Sequence, residues 1–184
     1  RSDLDLVGRA AYAIELVDQF TVDGESNREL YSLLTQTLDH LSGGLDRRSV
    51  QRHFELRLLD LVGYRPELFH CSRCGVEIQP EDQFFSYEAG GAVCPKCGPD
   101  ETHKRPISMT GLKVLRHFQR STFEHAAKAN IRLAVHKELD RLMEGFYNYL
   151  LERRLNSPGF LRRLRKIGRV QPPSEADIEI EERE

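Results

Sequence analysis

A mainly α fold is predicted for this 184-residue sequence: a helical bundle with a small β-hairpin, metal-binding module inserted in it. Two observations carry that expectation. Apolar residues recur at helical spacing on both sides of the chain's middle, and between about residues 70 and 103 that period gives way to glycines, prolines, short extended pieces and all four cysteines. The sequence therefore divides into residues 1–69, the first helices of the bundle, and 70–103, the cysteine insert. Residues 104–168 supply the remaining helices, and 169–184 form an acidic tail too poor in apolar residues to pack, expected to be disordered.

The first helix is predicted over 3–20, with Val7, Ala10, Ile14 and Val17 in register and Ala13, Leu16 and Phe20 widening the stripe. Ser26-Asn27-Arg28-Glu29 matches a capping box, in which the serine hydroxyl satisfies an orphan N–H of the helix it opens. That helix carries Leu30, Leu34, Leu38 and Leu41 and stops at Gly43-Gly44. A third helix over 47–62 shows Val50, Phe54, Leu58 and Leu61 and ends at Gly63, with Pro66 just beyond.

Within the insert, 83–88 reads as a short strand, and Gly90-Gly91 as the turn into a second extended piece leading to Cys94. Helical patterning resumes near Ser108 with Leu112, Leu115 and Phe118, and 120–130 reads as a short helix or an irregular link. The longest helix, over 130–155, aligns Ile131, Val135, Leu139, Leu142, Phe146 and Leu150. Asn156-Ser157-Pro158-Gly159 breaks it, and a short basic helix is expected over 160–167.

No apolar run approaches the roughly 20 residues of a membrane span, and the first residues lack the apolar stretch of a secretory leader. A soluble, cytoplasmic protein is expected. The net charge of −2 hides an asymmetry. Seven basic residues and no acidic one lie between Arg153 and Arg169, whereas six acids accompany the single Arg183 after Val170.

The cysteines form two matching units, Cys71-Ser72-Arg73-Cys74-Gly75 and Cys94-Pro95-Lys96-Cys97-Gly98. Tetrahedral zinc takes four ligands, and thiolates three residues apart share one ion when a tight turn brings them round. The glycine after each pair suits that turn, because glycine takes positive φ without steric cost. Nineteen residues separate the units, enough for a hairpin returning to the ion. The insert has few large apolar residues, so metal binding, on the order of 10 kcal/mol in small zinc modules, is expected to stabilise it. Two disulfides fit poorly with a chain lacking a secretory signal. A thioredoxin-like pair needs one such unit in a βαβ setting. Ligand type alone leaves an iron–sulfur centre open. Four thiolates fill the shell, so the zinc is read as structural and no enzyme is expected. His70 and His103 flank the module and are read as surface histidines, with replacement of a cysteine ligand the alternative.

Arg153, Arg154, Arg162, Arg163, Arg165 and Lys166 combine charge with apolar anchors at Leu161 and Leu164. Such an array suits phosphate backbones. It equally suits a solvated cationic helix end favoured by the helix dipole, and the charge pattern leaves both readings open.

The stretch Phe54-Glu55-Leu56-Arg57-Leu58-Leu59, followed by Gly63-Tyr64-Arg65-Pro66-Glu67-Leu68 and Cys71-Ser72-Arg73-Cys74-Gly75, closely resembles the RecO family of bacterial recombination mediators. Phe85-Ser86, Gly90-Gly91, Ile107-Ser108, Glu152-Arg153-Arg154-Leu155-Asn156-Ser157, Phe160-Leu161, Tyr12 and Glu15-Leu16 extend the resemblance from Leu4 to Leu161. It implies a DNA repair and homologous recombination protein that binds single- and double-stranded DNA and anneals complementary strands. It also implies binding to RecR and to the single-stranded-DNA-binding protein, and help in loading RecA. The implied fold is an N-terminal OB barrel followed by a helical bundle with a zinc-finger-like insert. No run of five short strands is present here, so the barrel is expected to precede Arg1. The competing reading is a protein-interaction scaffold that binds RecR or the tail of the single-stranded-DNA-binding protein, with little DNA contact of its own. A metalloenzyme would require an open metal position.

Overall fold

The computed structural model describes residues 3–21 and 27–155. Three helices come first: α1 (Leu4–Phe20), α2 (Arg28–Ser42) and α3 (Arg47–Leu61). The strands β1 (Gln83–Ser86), β2 (Gly91–Val93) and β3 (Lys104–Ile107) follow. The helices α4 (Met109–Arg120), α5 (Phe123–Ala126) and α6 (Leu133–Leu155) close the described chain. The predicted mainly α bundle with a small β insert is the observed architecture. Among the described residues no helix is long and apolar enough to cross a membrane.

Side-chain caps set most helix starts. Asp3 accepts from the Leu6 amide at 3.2 Å, Asp46 from that of Ser49 at 3.0 Å and Ser108 from that of Gly111 at 3.0 Å. At α2 the cap is Asn27, whose side chain accepts from the Leu30 amide at 3.1 Å. The serine expected in that role, Ser26, lies outside the described residues. So do the basic helix expected over 160–167 and the acidic tail.

The buried face of α1 is Ala13, Leu16 and Phe20, while Val7 and Ile14 are half exposed. The α1 sequence carries two apolar stripes, and spacing alone cannot choose between them. The neighbours α2 and α3 select the stripe on which small Ala13 lets them approach. In α3, Leu61 is 38% exposed where the pattern placed it inside, and Leu56 and Leu59 are buried instead. Helix α3 is surrounded on nearly all sides, so even Arg52, His53 and Glu55 are buried.

Those buried charges are matched. One terminal nitrogen of Arg52 pairs with Glu55 and the other reaches Asp140 of α6 at 2.5 Å, while its Nε is buried without a hydrogen-bond partner among the described residues. Glu55 also accepts from Tyr12 of α1 at 3.0 Å and from Gln51 at 3.1 Å. Tyr147 of α6 donates to the Glu55 carbonyl at 2.7 Å. A cleft of about 310 Å³ between α1, α3 and α6 opens beside this network.

The strands form an antiparallel sheet in the order β2-β1-β3, with Phe85 opposite both Ala92 and Arg105. The expected hairpin thus gains a third strand. Its segment, Lys-Arg-Pro-Ile, is short and half polar and gives no period-2 signal. Phe85 is fully buried and meets Phe146 of α6 edge to face, with ring centroids 5.1 Å apart. Such a pair contributes about 0.5–1.5 kcal/mol beyond its buried area. One continuous core runs from Phe20, Phe54 and Leu58 through Phe85, Val93 and Ile107 to Cys71 and Cys94. The module therefore shares its interior with the bundle.

Candidate metal centre

The first cysteine unit follows a strap, residues 64–70, that leaves α3 and is held against both the sheet and α4. The Glu67 amide donates to the Gly90 carbonyl at 3.1 Å, and the Ala92 amide to the Glu67 carbonyl at 2.7 Å. Gln119 and Arg116 of α4 donate to the carbonyls of Pro66 and Leu68 at 2.8 and 2.7 Å. Cys71 is thereby delivered to a fixed place beside β2.

Each unit then turns tightly. The Gly75 amide donates to the Cys71 carbonyl at 2.9 Å, and that of Gly98 to the Cys94 carbonyl at 2.9 Å. The two glycines serve different purposes. Gly75 has φ +75° with open space where a Cβ would stand, so backbone conformation selects it. Gly98 does not have positive φ. A Cβ there would lie 2.0 Å from Phe84, so close packing selects it, contrary to the expectation from sequence.

The four sulfur atoms of Cys71, Cys74, Cys94 and Cys97 all lie within 4.8 Å of one another. Cys74 and Cys94 sulfurs are 3.9 Å apart. Metal–thiolate bonds of about 2.3 Å in a tetrahedron separate the sulfurs by roughly 3.8 Å. A disulfide would require about 2.05 Å, and all four cysteines are free. Cys71 and Cys94 are buried, Cys97 is half-buried and Cys74 faces solvent.

Electrostatics fit a cation at the centre of this group. Burial opposes ionisation of Cys71, but amide N–H groups of Cys74, Cys94 and Arg73 point at its sulfur and together bring the thiol down to about 6. Cys97 is pushed the other way, up to about 12, by its sulfur neighbours Cys74 and Cys94 and by burial. Four thiolates so close together would repel one another, and a thiophilic divalent cation would relieve that repulsion. Donor type, number and spacing therefore fit a closed four-sulfur metal site.

The surroundings brace both units. Arg73 makes a two-pronged contact with Glu101, at 2.5 and 3.0 Å, and Ser86 of β1 donates to the same carboxylate. Lys104 donates to the carbonyls of Gly98 and Pro99 at 2.6 Å each and lies over the Phe84 ring. Sequence reasoning missed these partners, because nothing in their spacing ties Arg73 to Glu101 or Lys104 to Gly98. Neither flanking histidine joins the sulfur group: His70 is exposed, and the His103 ring rests 5.2 Å from that of Tyr149.

Of the basic residues singled out in the sequence, Arg153 and Arg154 fall within the described chain, at the end of α6. Arg153 is exposed. Arg154 turns inward, donating to the Phe20 carbonyl at 3.2 Å with its guanidinium 5.0 Å from the Phe20 ring. Arg162, Arg163, Arg165 and Lys166 lie outside the described residues.

The chain is 34% identical over 174 residues to the DNA repair protein RecO of Roseiflexus sp. (strain RS-1), covering 95% of this chain and 62% of that protein. It is 34% identical over 166 residues to the DNA repair protein RecO of Desulforamulus reducens, covering 90% and 64%. With that of Bacillus pumilus the identity is 29% over 171 residues, covering 92% and 66%. The chain thus spans somewhat under two thirds of the length of the first two relatives. The family model described as "Recombination protein O C terminal" matches residues 1–159, and the chain belongs to the RecO family.

Proposed function

We propose that this chain is the metal-pinned helical part of a DNA repair and homologous recombination mediator that promotes strand annealing and RecA loading in the bacterial cytoplasm, at the nucleoid. The observation that carries the reading is the family match over residues 1–159, which takes in both the bundle and the cysteine insert. Cys71, Cys74, Cys94 and Cys97 hold one zinc ion, which supplies a structural cross-link between the strap and the sheet. Single- and double-stranded DNA, RecR and the single-stranded-DNA-binding protein are the proposed partners.

In this reading, Arg153 and the following basic residues, Arg162, Arg163, Arg165 and Lys166, touch DNA phosphates. The inward turn of Arg154 makes it a bundle residue first. A second reading, a protein-interaction scaffold, draws support from α1. Its outward face carries Leu4, Val7 and Ile14 at 79%, 58% and 50% exposure, which suits a protein neighbour.

Titrating the metal-loaded chain against fluorescent single-stranded DNA at two salt concentrations separates the two readings. Binding that weakens steeply with salt, and is lost in an Arg162→Glu/Arg163→Glu variant, supports the DNA surface. No binding at low salt leaves the scaffold.

A further inference from the structure

Helix α4 carries Lys113, Arg116, His117 and Arg120 at i, i+3, i+4 and i+7, and no acidic residue anywhere along its length. Residues so spaced share one face. The opposite face, Leu112, Leu115, Phe118 and Gln119, is buried against the core. The basic face is outward, with Lys113, His117 and Arg120 exposed and Arg116 half-buried.

Two of these side chains are held in place without being neutralised. The Arg120 guanidinium lies 3.8 Å from the centroid of the Phe69 ring and that of Arg116 lies 4.9 Å from it, so both converge on one aromatic ring of the strap. Arg116 Nε donates to the Leu68 carbonyl at 2.7 Å, leaving its terminal nitrogens free of that bond. Among the described residues neither arginine has a carboxylate within salt-bridge distance, a state they share with other arginines such as Arg153 and Arg154; what sets them apart is their convergence on one ring. The acids whose charge reaches Arg116 are Glu77 and Glu67. One oxygen of the Glu67 carboxylate, Oε1, accepts the Phe69 and His70 amides at 2.7 and 2.9 Å. Burial, then the Arg120 charge, hold Arg116 below the ordinary arginine range, with the pull of Glu77 and Glu67 ranking after them. Like charge is crowded here, and an anion would relieve it.

We infer that the Lys113–Arg116–Arg120 face of α4, with Phe69 as its aromatic support, is a binding surface for the phosphodiester backbone of a DNA strand, separate from the basic end of α6. The face runs about 10 Å along the helix axis from Lys113 to Arg120, enough to meet two or three successive phosphates. Planar guanidiniums fixed on a ring present N–H forks outward, the geometry phosphate oxygens accept. The choice of DNA as the ligand rests on the proposed function; the surface itself does not.

The test titrates the metal-loaded chain with a fluorescent oligothymidylate across a salt series. A Lys113→Gln/Arg120→Gln variant is compared with an Arg153→Gln variant and with wild type. Both α4 side chains are exposed, so metal content and melting temperature serve as folding controls: metal content is expected to hold, and loss of the Arg120 contact with Phe69 to lower melting by no more than a few degrees. The expected result is roughly a tenfold or greater loss of affinity at low salt for the α4 variant. Its slope of log affinity against log salt should be shallower by about 1.4, since each single-strand phosphate contact contributes about 0.7. If wild type binds DNA and the α4 variant matches it in affinity and slope, the α4 surface is overturned while the DNA-binding function stands. If wild type binds no DNA, both fall. If polyglutamate competes at α4 while oligothymidylate does not bind there, the face recognises acidic protein and the inference is wrong.

Discussion

The Tyr12 hydroxyl on α1 donates to the Glu55 carboxylate on α3 across 3.0 Å, in a region where Glu55 is only 1% exposed. Burial, then the Glu55 charge, keep that hydroxyl protonated well above the ordinary tyrosine range, so it remains a donor. The contact is one edge of a network through Arg52, Gln51, Tyr147 and Asp140 that ties α1, α3 and α6 together.

Removing Glu55 leaves the Arg52 guanidinium buried without its main partner. The Glu55→Ala variant is expected to lose about 3–5 kcal/mol of stability, the usual cost of an uncompensated buried charge. Urea unfolding of the metal-loaded chain measures it. A loss below about 1 kcal/mol would show that the network is not what joins the three helices.

His53 predicts a pH dependence. Its ring is buried, edge-on to Phe123, with Nε2 3.3 Å from the Ser121 carbonyl. Burial, which disfavours the charged form, lowers it from 6.5 to about 4. The folded state therefore keeps His53 neutral where the unfolded chain takes up a proton. The stability it contributes is complete above about pH 6.5 and is lost as pH falls toward 4. The loss is on the order of 2 kcal/mol. Comparing wild type with His53→Gln isolates this from proton competition at the cysteines: the variant should show a flatter decline in that window.

The two knuckle glycines should respond differently to substitution. Gly98→Ala drives a Cβ into Phe84 and is expected to cost about 1–3 kcal/mol and to weaken metal retention. Gly75 has open space but positive φ, so Gly75→Asn should be tolerated far better than Gly75→Val. Chelator-challenge half-times would rank the variants. Equal sensitivity to alanine and asparagine at both positions would contradict the distinction.

Arg153 and Arg154 are adjacent in sequence and opposite in expected effect. Arg154→Ala removes the contact with Phe20 and should lower the melting temperature by a few degrees, with DNA affinity changed little. Arg153→Ala should leave the melting temperature alone and reduce the salt slope of DNA binding by about 0.7–0.9. Melting and fluorescence titration on both variants check the pair.

Much of this was legible in the chain. Cys-x-x-Cys-Gly repeated at a hairpin's distance announced a cluster of four sulfurs that could hold a metal ion, because only a local turn is needed to bring each pair together. Leu112, Leu115 and Phe118 announced the buried face of α4 for the same reason. What could not be read depends on distant partners. The stripe of α1 that packs is chosen by α2 and α3. Arg52 and Glu55 look like surface charges until α1 and α6 close over them. The spacing of Lys113, Arg116 and Arg120 was legible as a basic helix face, but the support of Arg120 by Phe69 joins residues far apart in the chain and carried no signal, while the denser run after Arg153 drew attention.

The most direct test is the metal content of the purified chain, by elemental analysis, followed by melting before and after chelation. The account predicts one zinc ion per chain, lost together with much of the cooperative unfolding when Cys74→Ser opens the shell. Iron with acid-labile sulfide, or a chain that melts at the same temperature once metal is removed, would contradict it.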